Sequence, residues 1–371
     1  MVVGVKSIAS WQRTTAIATS TSDLTQPHLL PYARLNLYRC LDVEFDFRCT
    51  HPVSWLHRSD ARHRRSFSLE VLVPTLSVPN LPWPRRLIDI LGHLGLWPGL
   101  YATAATCCYL ELIGLRRPSE PWASGVIAVG FTATGIYLLD RVKFRREWID
   151  PADCFALPGR YQFLCEHQGL CRFIAIALLG GGAFLGERVS VWAPVAVGTG
   201  ALSALIYAAA PKGHFPRIKD LPFLKNLYTA GGLVGFVAAA GCAINGRLIA
   251  PAWHLQAALA GIALLLARVF LDAALCDVYD EEADRIYGTT TSATRFGSAR
   301  ARRWATTANV LIPIALMMVR AIPFAARAGW ATVWLGSSVV LPAISTERLA
   351  DFVDVRFAVE AILATAAMRW F

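Results

Sequence analysis

Charge is what this sequence has little of. Only 17% of its 371 residues are Asp, Glu, Lys or Arg, against about 25% in soluble domains. With 55% hydrophobic residues and a mean hydropathy of +0.43, that shortage excludes an ordinary water-soluble protein. Metal-type cysteine spacing is also missing. Nine cysteines are scattered, only Cys107 and Cys108 are adjacent, and no CxxC pair or Cys/His spacing appears. Zinc modules and dithiol redox motifs are thereby excluded, and the cysteines read as small apolar packing residues. No clear internal repeat is present, which argues against a transporter built from inverted halves. The net charge of +10 does not point to nucleic acid on so apolar a background. Basic residues beside an anionic membrane face explain it better.

Residues 1–84 differ from the rest. They are polar, rich in Ser, Thr and Arg, punctuated by proline and without a sustained helical period. They read as a poorly ordered extension. A start placed too far upstream is a second reading, and the acid-free first 22 residues leave a targeting peptide as a third. From Trp83 onward, nine apolar segments follow, at about 88–110, 122–139, 170–186, 189–210, 227–245, 254–276, 304–320, 329–345 and 355–371, each near the roughly 20 residues that span a bilayer core. All should be helices, because lipid offers backbone polar groups no partners. Frequent Gly and Ala suit close packing. Trp83, Trp97, Trp122, Trp148, Trp253, Trp304 and Trp370 fall near segment ends or loops, as interfacial belts do. The expected fold class is therefore an all-α polytopic bundle of about nine transmembrane helices, occupying residues 85–371. The loops after segments two, four and six are long. They hold about 14 Lys/Arg, against about 6 in the loops opposite, which places the long loops in the cytoplasm.

The chemistry-bearing residues lie in those three loops. Asp277, Asp280, Asp284 and Gly288, at the end of segment six, fall within roughly 60–80° of one helical face. Glu281 and Glu282 point elsewhere and read as solvated. Aligned hard oxygen ligands at the mouth of a membrane helix suit Mg²⁺ holding a diphosphate. Asp140, followed by Arg141, ends segment two, and Arg217, Lys219 and Lys225 follow segment four. These cations suit diphosphate oxygens. Against them stand ordinary alternatives: a helix-end ion pair for Asp140, topology-setting charge for the basic loop. Arg268 and Asp272, four residues apart inside segment six, face roughly away from Asp277. A helix–helix structural pair and a pocket role stay open for them. His167 reads as a loop residue.

Over residues 85–371 the chain resembles the UbiA superfamily of intramembrane prenyltransferases. That family's second acidic motif, roughly DxxDxxxDxxxGxxT, is matched by Asp277, Asp280, Asp284, Gly288 and Thr291, and Arg217–Asn226 resembles its basic loop between helices four and five. Arg160–Phe163 with His167 resembles a subgroup's entry to helix three. The first motif, NDxxDxxxD, departs: its slots hold Ile136, Tyr137, Asp140 and Phe144. Asp150 and Asp153 lie further along that loop.

The resemblance implies Mg²⁺ held by Asp140, Asp277, Asp280 and Asp284, with Asp140, Asp280 and Asp284 catalytic. Arg141, Arg217, Lys219, Lys225 and Asp277 would bind the substrate. It also implies transfer of a prenyl group from a prenyl diphosphate to an aromatic or other lipid acceptor in a membrane, expected to be a bacterial inner membrane. A non-catalytic relative that binds isoprenoid lipid or a protein is the alternative. CDP-alcohol phosphotransferases also place aspartates on lipid substrates, but their DGxxAR string is absent.

Overall fold

The computed structural model describes residues 90–115, 120–142, 158–207, 221, 224–244, 252–286, 289–368 and 370. The chain divides into two units, Met1–Leu81 and Pro82–Phe371. All described residues belong to the second, so the sequence reading of residues 1–84 lies outside them. Regular structure among the described residues is entirely helical. The elements are α1 (Leu96–Leu112), α2 (Glu120–Val142), α3 (Pro158–Glu166), α4 (Gln168–Glu187), α5 (Ala193–Tyr207), α6 (Leu224–Ile244), α7 (Ala252–Tyr279), α8 (Glu281–Ile286), α9 (Ser292–Phe296), α10 (Ser298–Met318), α11 (Phe324–Val340) and α12 (Thr346–Ala367).

Each of the nine expected apolar segments falls on one of the longer helices: α1, α2, α4, α5, α6, α7, α10, α11 and α12. The last three begin about five to nine residues before the hydropathy pattern places them, a shift of two turns or so. Arg300, Arg302 and Arg303 open α10, and Arg348, Asp354 and Arg356 lie in the first half of α12. Hydropathy breaks at charge, whereas the helix continues through it where the charges find partners. Among the described residues, four helices are long and apolar enough to cross a bilayer: Trp122–Val142, Gln168–Glu187, Leu224–Ile244 and Leu255–Tyr279. The protein is an integral, multi-pass membrane protein.

Helix α1 packs against α2, α6, α7, α11 and α12 and so lies at the centre of the main helix cluster. The main core joins Tyr101, Tyr109 and Leu112 of α1 to Leu265 and Leu275 of α7, Trp330 and Trp334 of α11 and Phe357 of α12. A smaller core of Leu138, Val142, Leu164, Cys171 and Ala175 joins the end of α2 to α3 and α4. Small residues set the closest approaches. A Cβ on Gly99 of α1 would lie 2.9 Å from the carbonyl oxygen of Gly130 in α2. One on Gly182 of α4 would lie 3.1 Å from that of Ala128. Both contacts allow helix backbones to pack directly on each other, as in lipid-embedded interfaces.

The intramembrane pair Arg268/Asp272 is half of a buried four-charge cluster. Arg268 Nη2 donates to Glu360 Oε1 at 2.6 Å, and its Nε lies 3.5 Å from Asp272 Oδ2. Arg356 donates to Asp272 and also, at 3.4 Å, to Asn309 Oδ1. The Tyr101 hydroxyl donates to Asp272 Oδ2 at 2.8 Å. Formal charges cancel, and the cluster ties α1, α7, α10 and α12 together. The guanidinium of Arg268 also sits over the rings of Trp334 and Phe357, at 5.6 and 5.9 Å. Beyond it, Glu111 accepts from Trp330 Nε1 at 2.8 Å and from Thr365 Oγ1 at 2.9 Å. Of the two roles open to Arg268 and Asp272, the structure shows the helix–helix one.

Candidate active site at the helix ends

The acidic stretch does not lie on one uninterrupted helix. α7 stops at Tyr279, Asp280 is a bend, and α8 starts at Glu281. Helix-type bonds nonetheless bridge the break. The amide of Asp280 donates to the carbonyl of Cys276 at 3.2 Å, and that of Asp284 to the carbonyl of Asp280 at 2.8 Å. The angular register expected for a continuous helix is therefore largely kept. Asp277 and Asp284 are buried and Asp280 is half-buried.

The first turn of α6 meets this face. Lys225 Nζ lies 2.8 Å from Asp277 Oδ1 and 3.2 Å from Asp284 Oδ2. The next residue, Asn226, donates from Nδ2 to Asp277 Oδ2 at 2.7 Å. One ammonium thus stands where two carboxylates converge. Burial pushes the Asp284 carboxyl up to about 6, with Asp277 and Asp280 adding to the rise and Lys225 opposing it. Burial also raises Asp280; Lys225 and then Arg141 pull against it, Asp277 adds to it, and Arg160 pulls against it again.

Those two arginines come from the other side of the site. Arg141 lies at the end of α2, with its guanidinium 5.0 Å from the centre of the Tyr137 ring. Arg160 of α3 donates to the Tyr137 hydroxyl at 3.1 Å. Both act on Asp280 through their charge, without a contact to its carboxylate among the described residues.

Of the expected site residues, the structure brings together Lys225, Asp277 and Asp284, with Asp280 and Arg141 within electrostatic reach. Asp140 sits half-buried beside Arg141 at the end of α2. Arg217, Lys219, Asp150, Asp153, Phe144 and Gly288 lie outside the described residues. One expectation is corrected in detail. Glu281 is not simply solvated: its Oε2 accepts from the Ser298 amide at 3.1 Å and so caps α10, and it also pairs with Arg285. A carboxylate suits that place because helix N-termini carry orphan N–H groups and partial positive charge. Thr291 caps α9 in a reciprocal arrangement with Thr294. His167 precedes α4 and meets the Phe163 ring edge-on at 4.9 Å. Sequence reasoning missed Asn226 and Tyr137 as site members. Asn226 could have been found from its position beside Lys225 in the first turn of a helix.

Neither a family profile nor any curated protein matches the chain. Solved structures do. A UbiA homolog from Archaeoglobus fulgidus bound to GPP and Mg²⁺ superimposes with a TM-score of 0.52 at 14% identity, covering 76% of this chain and 98% of its own. The apo structure of a UbiA homolog from Aeropyrum pernix K1 also gives 0.52 at 14% identity, covering 73% of this chain and 97% of its own. The fold is UbiA-like. In this UbiA-like bundle, Lys225, Asp277 and Asp284 meet where α6 begins and α7 gives way to α8.

Proposed function

We propose that this protein transfers a prenyl group from a prenyl diphosphate to a hydrophobic acceptor within the membrane, with Mg²⁺ as cofactor. The observation that carries this reading is the meeting of Asp277 and Asp284 on one cation, the Lys225 ammonium, in a fold shared with a homolog described as bound to GPP and Mg²⁺. Nine bilayer crossings, with the acidic and basic loops cytoplasmic, complete the proposal.

The donor set fits a magnesium ion. Lys225 Nζ is a stand-in cation that shows where carboxylate oxygens converge. Among the described residues no three acid, His or Cys side chains close on one point. Mg²⁺ bound to phosphates typically rests on one or two carboxylates and completes its shell with phosphate oxygens and water. Asp280 and Asp284 are the proposed principal ligands, with Asp277 and Asp140 on the acidic rim. When bound, the ion would neutralise charge on the diphosphate oxygens.

The chain's own residues have distinct tasks. Arg141, Arg160, Lys225 and the loop cations Arg217 and Lys219 stabilise the departing diphosphate as the allylic C–O bond breaks and both bonding electrons leave with oxygen. Charge stabilisation aimed at the leaving group contributes most where water is excluded. The apolar wall keeps water from the allylic cation. The acceptor then forms the new bond to carbon and releases a proton.

One observation favours a second reading, a non-catalytic isoprenoid-binding relative. Tyr137 stands in a first-motif slot that holds aspartate in the family resembled, and Arg160 and Arg141 already engage it. Diphosphate release from a panel of prenyl diphosphates, with and without Mg²⁺, separates the two. Release with at least one donor is expected; binding without release across the panel would refute the enzymatic reading.

A further inference from the structure

Given a diphosphate site that uses Mg²⁺, as proposed above, we infer that Lys225 is the built-in counter-ion of the acidic face. Asp277 anchors it as a positioning residue rather than a metal ligand, and it leaves Asp284 when Mg²⁺ arrives. Both oxygens of Asp277 are already taken by one turn of α6: Oδ1 by Lys225 at 2.8 Å and Oδ2 by Asn226 at 2.7 Å. Its side chain is 2% exposed. The grip on Asp284 is looser. Lys225 Nζ lies 3.2 and 3.5 Å from its two oxygens, and that side chain is 10% exposed. Lys225 itself is 22% exposed, so it has room to move on the outer side.

The asymmetry sets the order of events. Mg²⁺ demands oxygen ligands at about 2.0–2.1 Å, and a divalent ion at Asp284 would repel an ammonium 3.2 Å from the same carboxylate. Lys225 has no comparable reason to leave Asp277, which lies about two turns deeper. It would pivot about Asp277 and present its ammonium to the incoming diphosphate. Lys225 thus competes with Mg²⁺ for Asp284, so the metal binds more weakly ahead of the diphosphate than together with it. The lysine also offsets the mutual repulsion of three carboxylates on one face.

Calorimetric titration of the full chain in detergent with Mg²⁺ alone, at pH 7 and without substrate, tests this. Removing one positive charge a few ångströms from the metal is worth more than a factor of ten at an effective dielectric constant near 20. Lys225→Met should therefore tighten Mg²⁺ binding at least about tenfold, while Lys225→Arg keeps the wild-type value. Asp284→Asn should abolish binding, whereas Asp277→Asn should stay within about threefold of wild type, since a lost carboxylate and a loosened competitor offset each other. If Asp277→Asn loses Mg²⁺ as Asp284→Asn does, Asp277 is a ligand and the inference fails. Unchanged affinity in Lys225→Met removes the competition. Should Lys225→Met not fold, the Lys225→Arg and Asp277→Asn comparison decides. Absence of Mg²⁺ binding in every variant, with or without a prenyl diphosphate, overturns the metal reading as well, which separates the two failures.

Discussion

Replacing Arg268 with Met tests the buried charge cluster most directly. Arg268 is fully buried, about 13 Å along α7 from Asp277 at 1.5 Å per residue, and its charge is matched only in company with Arg356 against Asp272 and Glu360. Its removal leaves two carboxylates facing one guanidinium in a low-dielectric interior. Glu360 loses its 2.6 Å donor and keeps the Ser337 hydroxyl and the more distant Arg356 Nε, at 3.9 Å. Breaking one partner of a buried ion pair costs about 3–5 kcal/mol, roughly a thousandfold in the unfolding equilibrium. Arg268→Met/Glu360→Met removes one charge of each sign and leaves Arg356, Asp272 and Tyr101 paired. It should recover most of that loss, because apolar replacements for whole buried pairs are often neutral. Equilibrium unfolding in mixed micelles, followed by tryptophan fluorescence, measures both; Trp334 lies 5.6 Å from the guanidinium and reports locally. A single variant as stable as wild type, or a double variant no better than the single, would refute the argument.

Three further outcomes are expected. Asp280→Asn and Asp284→Asn should each lower Mg²⁺-dependent diphosphate release by about 10²–10³-fold while the protein stays folded; turnover assays beside gel filtration check this, and wild-type turnover would remove both from the site. The pH dependence follows from the Asp284 carboxyl, which lies at about 6 against an ordinary 3.8. The folded metal-free protein holds a proton there that the unfolded chain has lost, so this group's stabilising contribution is full below pH 3.8 and is lost as pH rises through 6. Mg²⁺ must displace that proton, so its affinity should weaken by up to about tenfold per unit as pH falls below 6; titrations at pH 5, 6 and 7 that gave one constant would contradict the assignment. Gly99→Ala should destabilise by about 1–3 kcal/mol, because its new Cβ would lie 2.9 Å from the Gly130 carbonyl oxygen; thermal unfolding in detergent reads the loss, and an unchanged midpoint would mean that α1 and α2 separate easily.

Local pattern by itself determined the apolar helices and the acidic face. Hydropathy reports transfer from water residue by residue, so it found a helix at each of nine places, and the spacing of Asp277, Asp280 and Asp284 survived the bend because backbone bonds cross it. The same local measure misjudged where α10, α11 and α12 begin, since it cannot see that Arg302 reaches the carbonyl oxygens of Leu341 and Pro342 or that Arg356 meets Asp272. Partners distant in sequence were decided only by tertiary structure. Lys225 lies 59 residues before Asp284 and could be read from sequence as a headgroup charge as readily as a site residue. Glu281 has the composition of a solvated acid and becomes a cap only because α10 starts beside it. An ionised side chain in an apolar bundle is stable only where its counter-charge and hydrogen-bond donors converge. That convergence belongs to the packing of helices, not to any one of them.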